Sequence, residues 1–280
     1  MKAIFEKDWE QVWNLLIAGT RDFLAKNGFK EVVLGLSGGM DSSLVAALAV
    51  DALGKDNVHG VLMPSPWSST GSLTDARLLA KNLGISTVTV PIKPMMDAFD
   101  LALAPSFAGF PANVTEENIQ SRIRGVILMA HSNKFNWMLL ATGNKSELAV
   151  GYCTIYGDLC GSLAPIADLY KTEVYGLAAW YNSKEGREVI PQAVFDKAPS
   201  AELRPGQKDQ DSLPDYEELD TILHAMVEEG IPQDQIAIDG IADSEVKRVV
   251  NLVNKAAFKR RQAPTLLPVG EHAFGVHVKL

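Results

Sequence analysis

The sequence predicts an α/β fold: an open, mostly parallel sheet with helices on both faces, followed by a helical C-terminal extension. Short apolar runs typical of buried strands alternate with segments whose apolar residues recur at helical spacing. Gly54 and Gly84 each close one of these helical segments. Strands connected through helices have to pair in parallel, and the helices then cover the sheet. The composition, 47% hydrophobic and 21% charged, is that of an ordinary globular chain.

The first two predicted regions are an N-terminal helix and an α/β core. Residues 1–30 contain the helix, over 9–27, which Gly28 ends. The core over 31–196 contains strands over 31–37, 57–63, 85–90 and 136–141 and helices over 42–53, 73–83, 95–103 and 172–181. Thr115 is predicted to cap a further, long helix that contains the apolar segment 119–130, and Asn144 to open a short one. Residues 151–165 are predicted to be a loop.

The C-terminal part is predicted to be a long loop and then helices. Residues 197–214 are polar and contain prolines, and a loop of this length usually serves as a mobile lid or is disordered. The region 215–280 is predicted to hold helices over 216–229 and 243–258 and then a tail. We therefore expect a single domain over 1–280.

Charge and cysteine content exclude several classes of function. The formal net charge of −8 argues against nucleic acid as a partner, because phosphate contacts need an excess of Lys and Arg. No apolar run reaches the roughly 20 residues of a membrane helix. Cys153 and Cys160 have neither redox nor zinc-ligand spacing, and we expect both to be small apolar residues. We expect a cytoplasmic protein without membrane contact.

The segment Leu34–Leu44, LGLSGGMDSSL, lies between the first predicted strand and its helix. Glycines let backbone N–H groups approach a ligand closely, and the helix start adds partial positive charge, so the loop suits phosphate. The segment matches neither a Walker A loop nor GxGxxG. Asp41 beside phosphates suggests a bridging Mg²⁺. The alternative is a tight turn in which Asp41 only complements the helix dipole.

The segment 141–158, ATGNKSELAVGYCTIYGD, is the second informative stretch. Asn144 and Glu147 have the spacing of a capping box, which would be a sufficient structural explanation. Glu147 could also be a second carboxylate at the carboxyl edge of the sheet, where ligands of open α/β sheets bind. Asp41 and Glu147 would then share one Mg²⁺ that bridges phosphates.

SGGMDSS resembles the pyrophosphate loop of the ATP pyrophosphatases, which cleave ATP between the α and β phosphates. From about residue 14, the chain resembles the synthetase domain of the NAD synthetases, closest to that of the glutamine-dependent bacterial enzymes. The matching segments are MPSPWSSTGSLTDA, TEENIQSRIRG, TGNKSELAVGYCTIYGD, KAPSAELRPGQKDQDSLP and KRRQAP. The resemblance implies a Rossmann-like sheet of the adenine-nucleotide alpha hydrolase type and amidation of deamido-NAD to NAD through an acyl-adenylate, with release of AMP and pyrophosphate.

The resemblance also implies site residues. ATP would be bound by Gly35, Leu36, Ser37, Gly38, Gly39, Met40, Asp41, Ser42, Ser43, Thr142, Lys171 and Ser200. Deamido-NAD would be bound by Asn118, Arg122, Glu147 and Lys259. The catalytic residues would be Asp41, Glu147 and Lys171, with Asp41 and Glu147 as Mg²⁺ ligands. The alternative is that five of these residues bind no ligand and are only exposed or lie at helix ends: Asn118, Arg122, Lys171, Ser200 and Lys259.

The resemblance further implies a homodimer, with the apolar segment 119–130 as a plausible interface element. No amidase domain is recognised in the 280 residues, so we expect ammonia, free or from a separate glutaminase, as the nitrogen donor. Ile155, Ser162 and Phe258 replace the Lys, Asp and His usual in free-standing ammonia-dependent enzymes, which leaves nicotinate recognition open. Two alternatives are another amidotransferase, such as a GMP synthetase, and a non-catalytic adenine-nucleotide sensor.

Overall fold

The computed structural model describes residues 1–275. Its helices and strands are, in chain order, α1 (Trp9–Lys26), β1 (Val32–Gly35), α2 (Met40–Leu53), β2 (Val58–Leu62), α3 (Thr70–Leu83), β3 (Ser86–Thr89), α4 (Lys93–Phe107), α5 (Val114–Phe135), β4 (Met138–Leu139), α6 (Lys145–Val150), β5 (Leu163–Ala164), α7 (Lys171–Lys184), α8 (Gln192–Asp196), α9 (Tyr216–Val227), α10 (Asp243–Lys255), α11 (Ala257–Arg260) and β6 (Thr265–Leu266). The last five residues of the predicted region 215–280 lie outside the described part.

The main sheet confirms the predicted fold class. Its order is β3-β2-β1-β4 and every pair is parallel, with Val33 opposite both His59 and Leu139. The carboxyl ends of all four strands therefore meet at one edge, which is where ligands of such sheets bind.

Helices cover both faces of this sheet. Val32 and Leu34 face a core formed with α1, α2 and α7, whereas Val33 and Val61 face a second core that includes Ile123 of α5. Alternate residues of one strand thus enter opposite cores, because side chains alternate across a strand. A buried parallel sheet requires this covering on both sides.

Several predicted boundaries were wrong. Asn113, not Thr115, caps α5, because the Asn113 side chain accepts from the Thr115 amide and the Glu116 carboxylate accepts from the Asn113 amide. Helix α4 continues through Pro105 to Phe107. The predicted helix over 243–258 is divided at Ala256 into α10 and α11.

The predicted loop over 151–165 and the predicted tail both contain a short strand. These strands, β5 and β6, pair in parallel, and Leu163 also bridges to Leu140 at the end of β4. The pairing joins segments about a hundred residues apart. Each strand is only two residues long, which is too short for a strand pattern in the sequence.

The helical C-terminal extension is present and packs beside the carboxyl edge of the sheet. Helices α9 and α10 share a separate apolar core with α6, built around Leu219, Leu223 and Val249. Helix α6 thereby lies between the sheet and the extension. Over residues 1–275, no helix combines the length and the apolarity needed to cross a membrane.

Candidate active site

The loop between β1 and α2 approaches its neighbours too closely for a side chain at Gly38. Gly38 has a φ of +77°, and a Cβ there would lie 2.0 Å from the Ser72 carbonyl oxygen. Gly39 is the N-cap of α2 and provides no side-chain cap, so the first amides of the helix stay available to an anion.

The side chains of the loop divide into two groups. Leu36 and Met40 are buried in the core, so only their backbone can face a ligand. The Ser37 and Ser42 hydroxyls lie 3.0 Å apart, and the Ser43 hydroxyl donates to the Gly39 carbonyl at 2.7 Å. These bonds hold the loop in its folded form.

Lys171, at the start of α7, forms the charged centre of the site. Its Nζ donates to Asp41 Oδ2 at 2.5 Å and to Glu147 Oε1 at 3.2 Å. The Asn144 side chain donates to the other Asp41 oxygen at 2.9 Å. Helices α2, α6 and α7 thus each bring one charged side chain to the carboxyl edge of the sheet.

Glu147 forms the predicted capping box with Asn144, and its carboxyl group also lies at the carboxyl edge of the sheet. The Glu147 amide donates to Asn144 Oδ1 at 3.0 Å, and the Asn144 amide donates to Glu147 Oε2 at 3.4 Å, which completes the capping box. The remaining oxygen, Oε1, is the one that accepts from Lys171. The capping box therefore orients the carboxylate that faces the centre.

Burial of these charges shifts their pKa values. Burial raises the pKa of Glu147 to about 8 against the attraction of the Lys171 ammonium, and the nearby carboxylates of Asp41 and Asp209 add to the rise. Burial alone would lower the pKa of Lys171, but Asp41 and Glu147 outweigh it and raise that pKa well above its usual range. The centre thus places three carboxyl groups around one ammonium, and the pKa of one of them, Glu147, lies above neutrality.

The donor set fits a divalent cation that is shared with phosphate. Asp41 and Glu147 each turn one carboxylate oxygen to Lys171 Nζ, so the two carboxyl groups lie close together, and Mg²⁺ is commonly held by one or two carboxylates plus phosphates and water. Within residues 1–275, no cluster of three or more His, Cys, Asp or Glu side chains could hold a metal by itself. The arrangement therefore suits an ion that arrives with a nucleotide.

The predicted loop over 197–214 is docked on the site, and it contributes residues that we did not predict. Lys197 Nζ donates to the Gly38 carbonyl at 2.7 Å and to Ser72 Oγ at 2.9 Å. The Asp209 carboxylate accepts from the hydroxyls of Tyr152 and Tyr216. No sequence motif indicated these contacts, and all of them except the bond between Asp209 and Tyr216 join the loop to an element that is distant in the sequence.

Ser200 and Thr142 have different surroundings. The Ser200 hydroxyl donates to the Gln207 carbonyl at 2.6 Å and accepts from the Glu202 amide, so both bonds stay inside the docked loop. Thr142 is half-buried between β4 and α6. The predicted ATP contacts of these two residues stay predictions.

The other residues predicted to bind deamido-NAD meet around one segment, 151–158. Asn118 Oδ1 accepts from the Thr154 hydroxyl at 2.8 Å, and Arg122 Nε donates to the Ile155 carbonyl at 3.2 Å. Lys259 Nζ donates to the carbonyls of Gly151 and Cys153, each at 2.7 Å. Helices α5 and α11, which are distant in the sequence, thus both contact the segment that follows α6.

Cys153 lies in this segment as a protonated thiol. Burial raises its pKa to about 12, and burial also raises the pKa of Cys160. A nucleophilic cysteine needs the opposite shift.

A parallel sheet with a glycine-rich loop and carboxylates at its carboxyl edge defines a nucleotide-binding α/β protein. The family model of NAD synthase matches residues 12–263, and the chain belongs to this family.

Relatives in sequence and structure agree with this assignment. The chain is 54% identical over 268 residues to a glutamine-dependent NAD(+) synthetase of Synechocystis sp., covering 96% of this chain and 48% of the relative. It is 52% identical over 266 residues to that of Thermotoga maritima, covering 95% and 46%. The chain thus spans about half the length of these relatives. An NH3-dependent NAD synthetase from Campylobacter jejuni, solved with nitrate, superposes with a TM-score of 0.73 at 30% identity, covering 94% of this chain and 100% of that one.

Proposed function

We propose that the chain catalyses ATP-dependent amidation of deamido-NAD to NAD, with ammonia as the nitrogen donor and AMP and pyrophosphate as by-products. The observation that carries the proposal is the convergence of Asp41, Glu147 and Lys171 beside the open N-terminus of α2. Membership of the NAD synthase family supports the choice of substrate.

The chemistry begins with activation of a carboxylate. The nicotinate carboxylate oxygen attacks the α-phosphorus of ATP, the bond to the bridging oxygen breaks, and pyrophosphate leaves. Ammonia then attacks the acyl-adenylate carbonyl, AMP leaves with the former carboxylate oxygen, and loss of a proton gives the amide. Activation is needed because oxide is far too poor a leaving group to be expelled from a free carboxylate.

The residues bind and orient the two nucleotides and offset phosphate charge. The amides at the start of α2 would bind the departing pyrophosphate, and the Lys171 ammonium would stabilise negative charge on the phosphates. Asp41 and Glu147 would hold a Mg²⁺, which when bound neutralises phosphate oxygens. We propose no covalent protein nucleophile.

Further substrate contacts and a covering loop belong to this proposal. Asn118, Arg122, Glu147 and Lys259 would bind deamido-NAD along the segment 151–158, while Thr142 and Ser200 would contact ATP. The docked loop over 197–214 would exclude water, which would otherwise hydrolyse the adenylate.

The choice of ammonia is supported by one comparison and opposed by another. The chain matches the full length of an NH3-dependent enzyme, but the relatives with higher identity are glutamine-dependent. A separate glutaminase that delivers ammonia is therefore a possible partner.

The test incubates the purified chain with deamido-NAD, ATP, MgCl₂ and ammonium chloride and follows NAD and AMP in parallel. We expect equal amounts of both, and no NAD when glutamine replaces ammonium. AMP without NAD would support adenylation and contradict the use of free ammonia. Neither product would overturn the proposal and favour a nucleotide-binding subunit without this activity.

A further inference from the structure

We propose that Asp220, in the helical C-terminal extension, is a positioning residue that fixes Lys171 relative to Glu147. Its role in catalysis rests on the function proposed above. Asp220 contacts neither of these two side chains and acts through Ser146 and the backbone of α7.

The contacts form one buried network. Asp220 Oδ1 accepts from the Ser146 hydroxyl at 2.5 Å, and Asp220 Oδ2 accepts from the Thr172 amide at 2.8 Å. The Ser146 oxygen in turn accepts from the Lys171 amide at 2.8 Å. Asp220, Ser146 and Thr172 are all 0% exposed, so water cannot replace these bonds.

The network satisfies two amides of α7 that the helix's own capping contact leaves open. That contact is made by the Glu173 carboxylate, which accepts from the Tyr170 amide at 2.9 Å. The N-cap residue of α7, Tyr170, makes no side-chain bond to the first helical amides. The amides of Lys171 and Thr172 are instead satisfied by Ser146 of α6 and Asp220 of α9. A carboxylate at this position also complements the helix dipole.

The same bonds join the first turns of two helices that carry site residues. Ser146 precedes Glu147 on α6, and Lys171 is the first residue of α7. Because Ser146 binds both Asp220 and the Lys171 amide, the two turns cannot shift apart without breaking a buried bond. The phosphate loop takes no part in the network.

Packing of α9 does not require Asp220. Leu219, Ile222 and Leu223, on the same helix, are each 0% exposed and already bury it against its neighbours. Burial raises the pKa of Asp220 to about 7, which shows that the charged form is costly there. An apolar side chain would avoid that cost. The carboxylate is therefore explained by the bonds it makes to α6 and α7.

The test uses three network variants: Asp220→Ala, Ser146→Ala and the double variant that combines them. The control is Ile222→Ala, a core substitution on α9 that leaves the network intact. Hydrogen exchange reports the amides of Lys171 and Thr172 without any substrate. We expect faster exchange at these amides in the three network variants, at a temperature where all are folded, and wild-type exchange there in Ile222→Ala.

Kinetics provide the second readout. We expect kcat for AMP formation to fall on the order of 10²-fold in the network variants, because a small misplacement of a catalytic group is that costly. The dissociation constant for ATP should change far less than kcat, since the phosphate loop keeps its contacts and only Lys171 is displaced. The double variant should be no worse than the more impaired single variant, because both remove one network.

Two results would overturn the proposal: wild-type exchange at Lys171 and Thr172 in the network variants, or an equal loss of kcat in Ile222→Ala. If Asp220→Ala does not fold, Ser146→Ala carries the same comparison. Absence of NAD formation by the wild-type chain would instead overturn the proposed function, while hydrogen exchange would still decide whether the network positions α7.

Discussion

At the scale of single residues, the charge balance of the site depends on Lys171. Its ammonium lies between two carboxylates and carries the only side-chain positive charge within hydrogen-bond distance of Asp41 or Glu147 among residues 1–275. The sequence marked Lys171 only through a resemblance, since Lys at a predicted helix start has no pattern of its own. Its partners became identifiable when α2, α6 and α7 were placed together.

We predict that Lys171→Met lowers kcat for AMP formation on the order of 10²–10³-fold, because one preorganised charge at the reacting phosphates is lost. Lys184→Met, at the other end of α7 and partly exposed, is the matched control and should keep wild-type kcat. Steady-state AMP release measures both. Equal activity of the two variants would contradict the role of Lys171.

A second prediction at this scale concerns Glu147 and pH. Its pKa is raised to about 8 from an ordinary value of 4.5, so the folded state binds the proton more tightly than the unfolded state does. This contribution to stability is fully present below the unfolded pKa and is lost as pH rises through the folded pKa. In nucleotide-free buffer with EDTA, the Tm of Glu147→Gln should therefore fall less between pH 5 and pH 8 than that of the wild type. Parallel Tm profiles would contradict the raised pKa.

At the scale of elements, the apolar pattern predicted which helices and strands exist better than it predicted where they begin and end. The stripe that predicted α5 does place Ile123 in the core, but Val126, from the same stripe, is 70% exposed. Periodicity identifies a helix and cannot tell which apolar residue a neighbouring chain covers. The docking of the long polar loop over 197–214 was not predicted. Its hydrogen bonds to α3 and to the phosphate loop leave no local pattern in the sequence.

We predict that the loop over 197–214 is a lid whose docking is strengthened by ligands. Arg204 precedes Pro205 and is not cleaved by trypsin, whereas Lys208 is exposed and offers trypsin a site within the loop. Cleavage there should slow when ATP and deamido-NAD are added and quicken in Lys197→Ala, which loses the bond to Gly38. Cleavage after Lys26, in α1, is the internal control. Equal cleavage after Lys208 with and without both nucleotides would contradict the lid.

At the scale of the whole molecule, α4, α5 and the segment between them expose large apolar side chains. The most exposed are Leu101 at 80%, Phe110 at 78% and Val126 at 70%. Large apolar patches on a chain commonly mark an interface. Val126 lies in the predicted interface segment 119–130, and the homodimer stays a prediction that this exposure motivates.

We predict a sedimentation mass near twice 30.4 kDa at micromolar concentration. Val126→Glu should shift the mass toward a single chain, because a charge would be buried in the interface. Leu78→Glu, at another exposed apolar position on α3, should leave the mass unchanged. A single-chain mass for the wild type would contradict the dimer.

The sequence by itself determined the parallel sheet, the glycine-rich loop at the start of α2 and the family. These features depend on local periodicity, on backbone freedom at residues such as Gly38, and on contiguous motifs. Only the tertiary structure decided that Lys171 bonds to Asp41, 130 residues away, that the loop over 197–214 docks on the phosphate loop, and that β5 pairs with β6. Contacts between distant residues arise from the packing of whole elements, and a single sequence carries no local pattern for them.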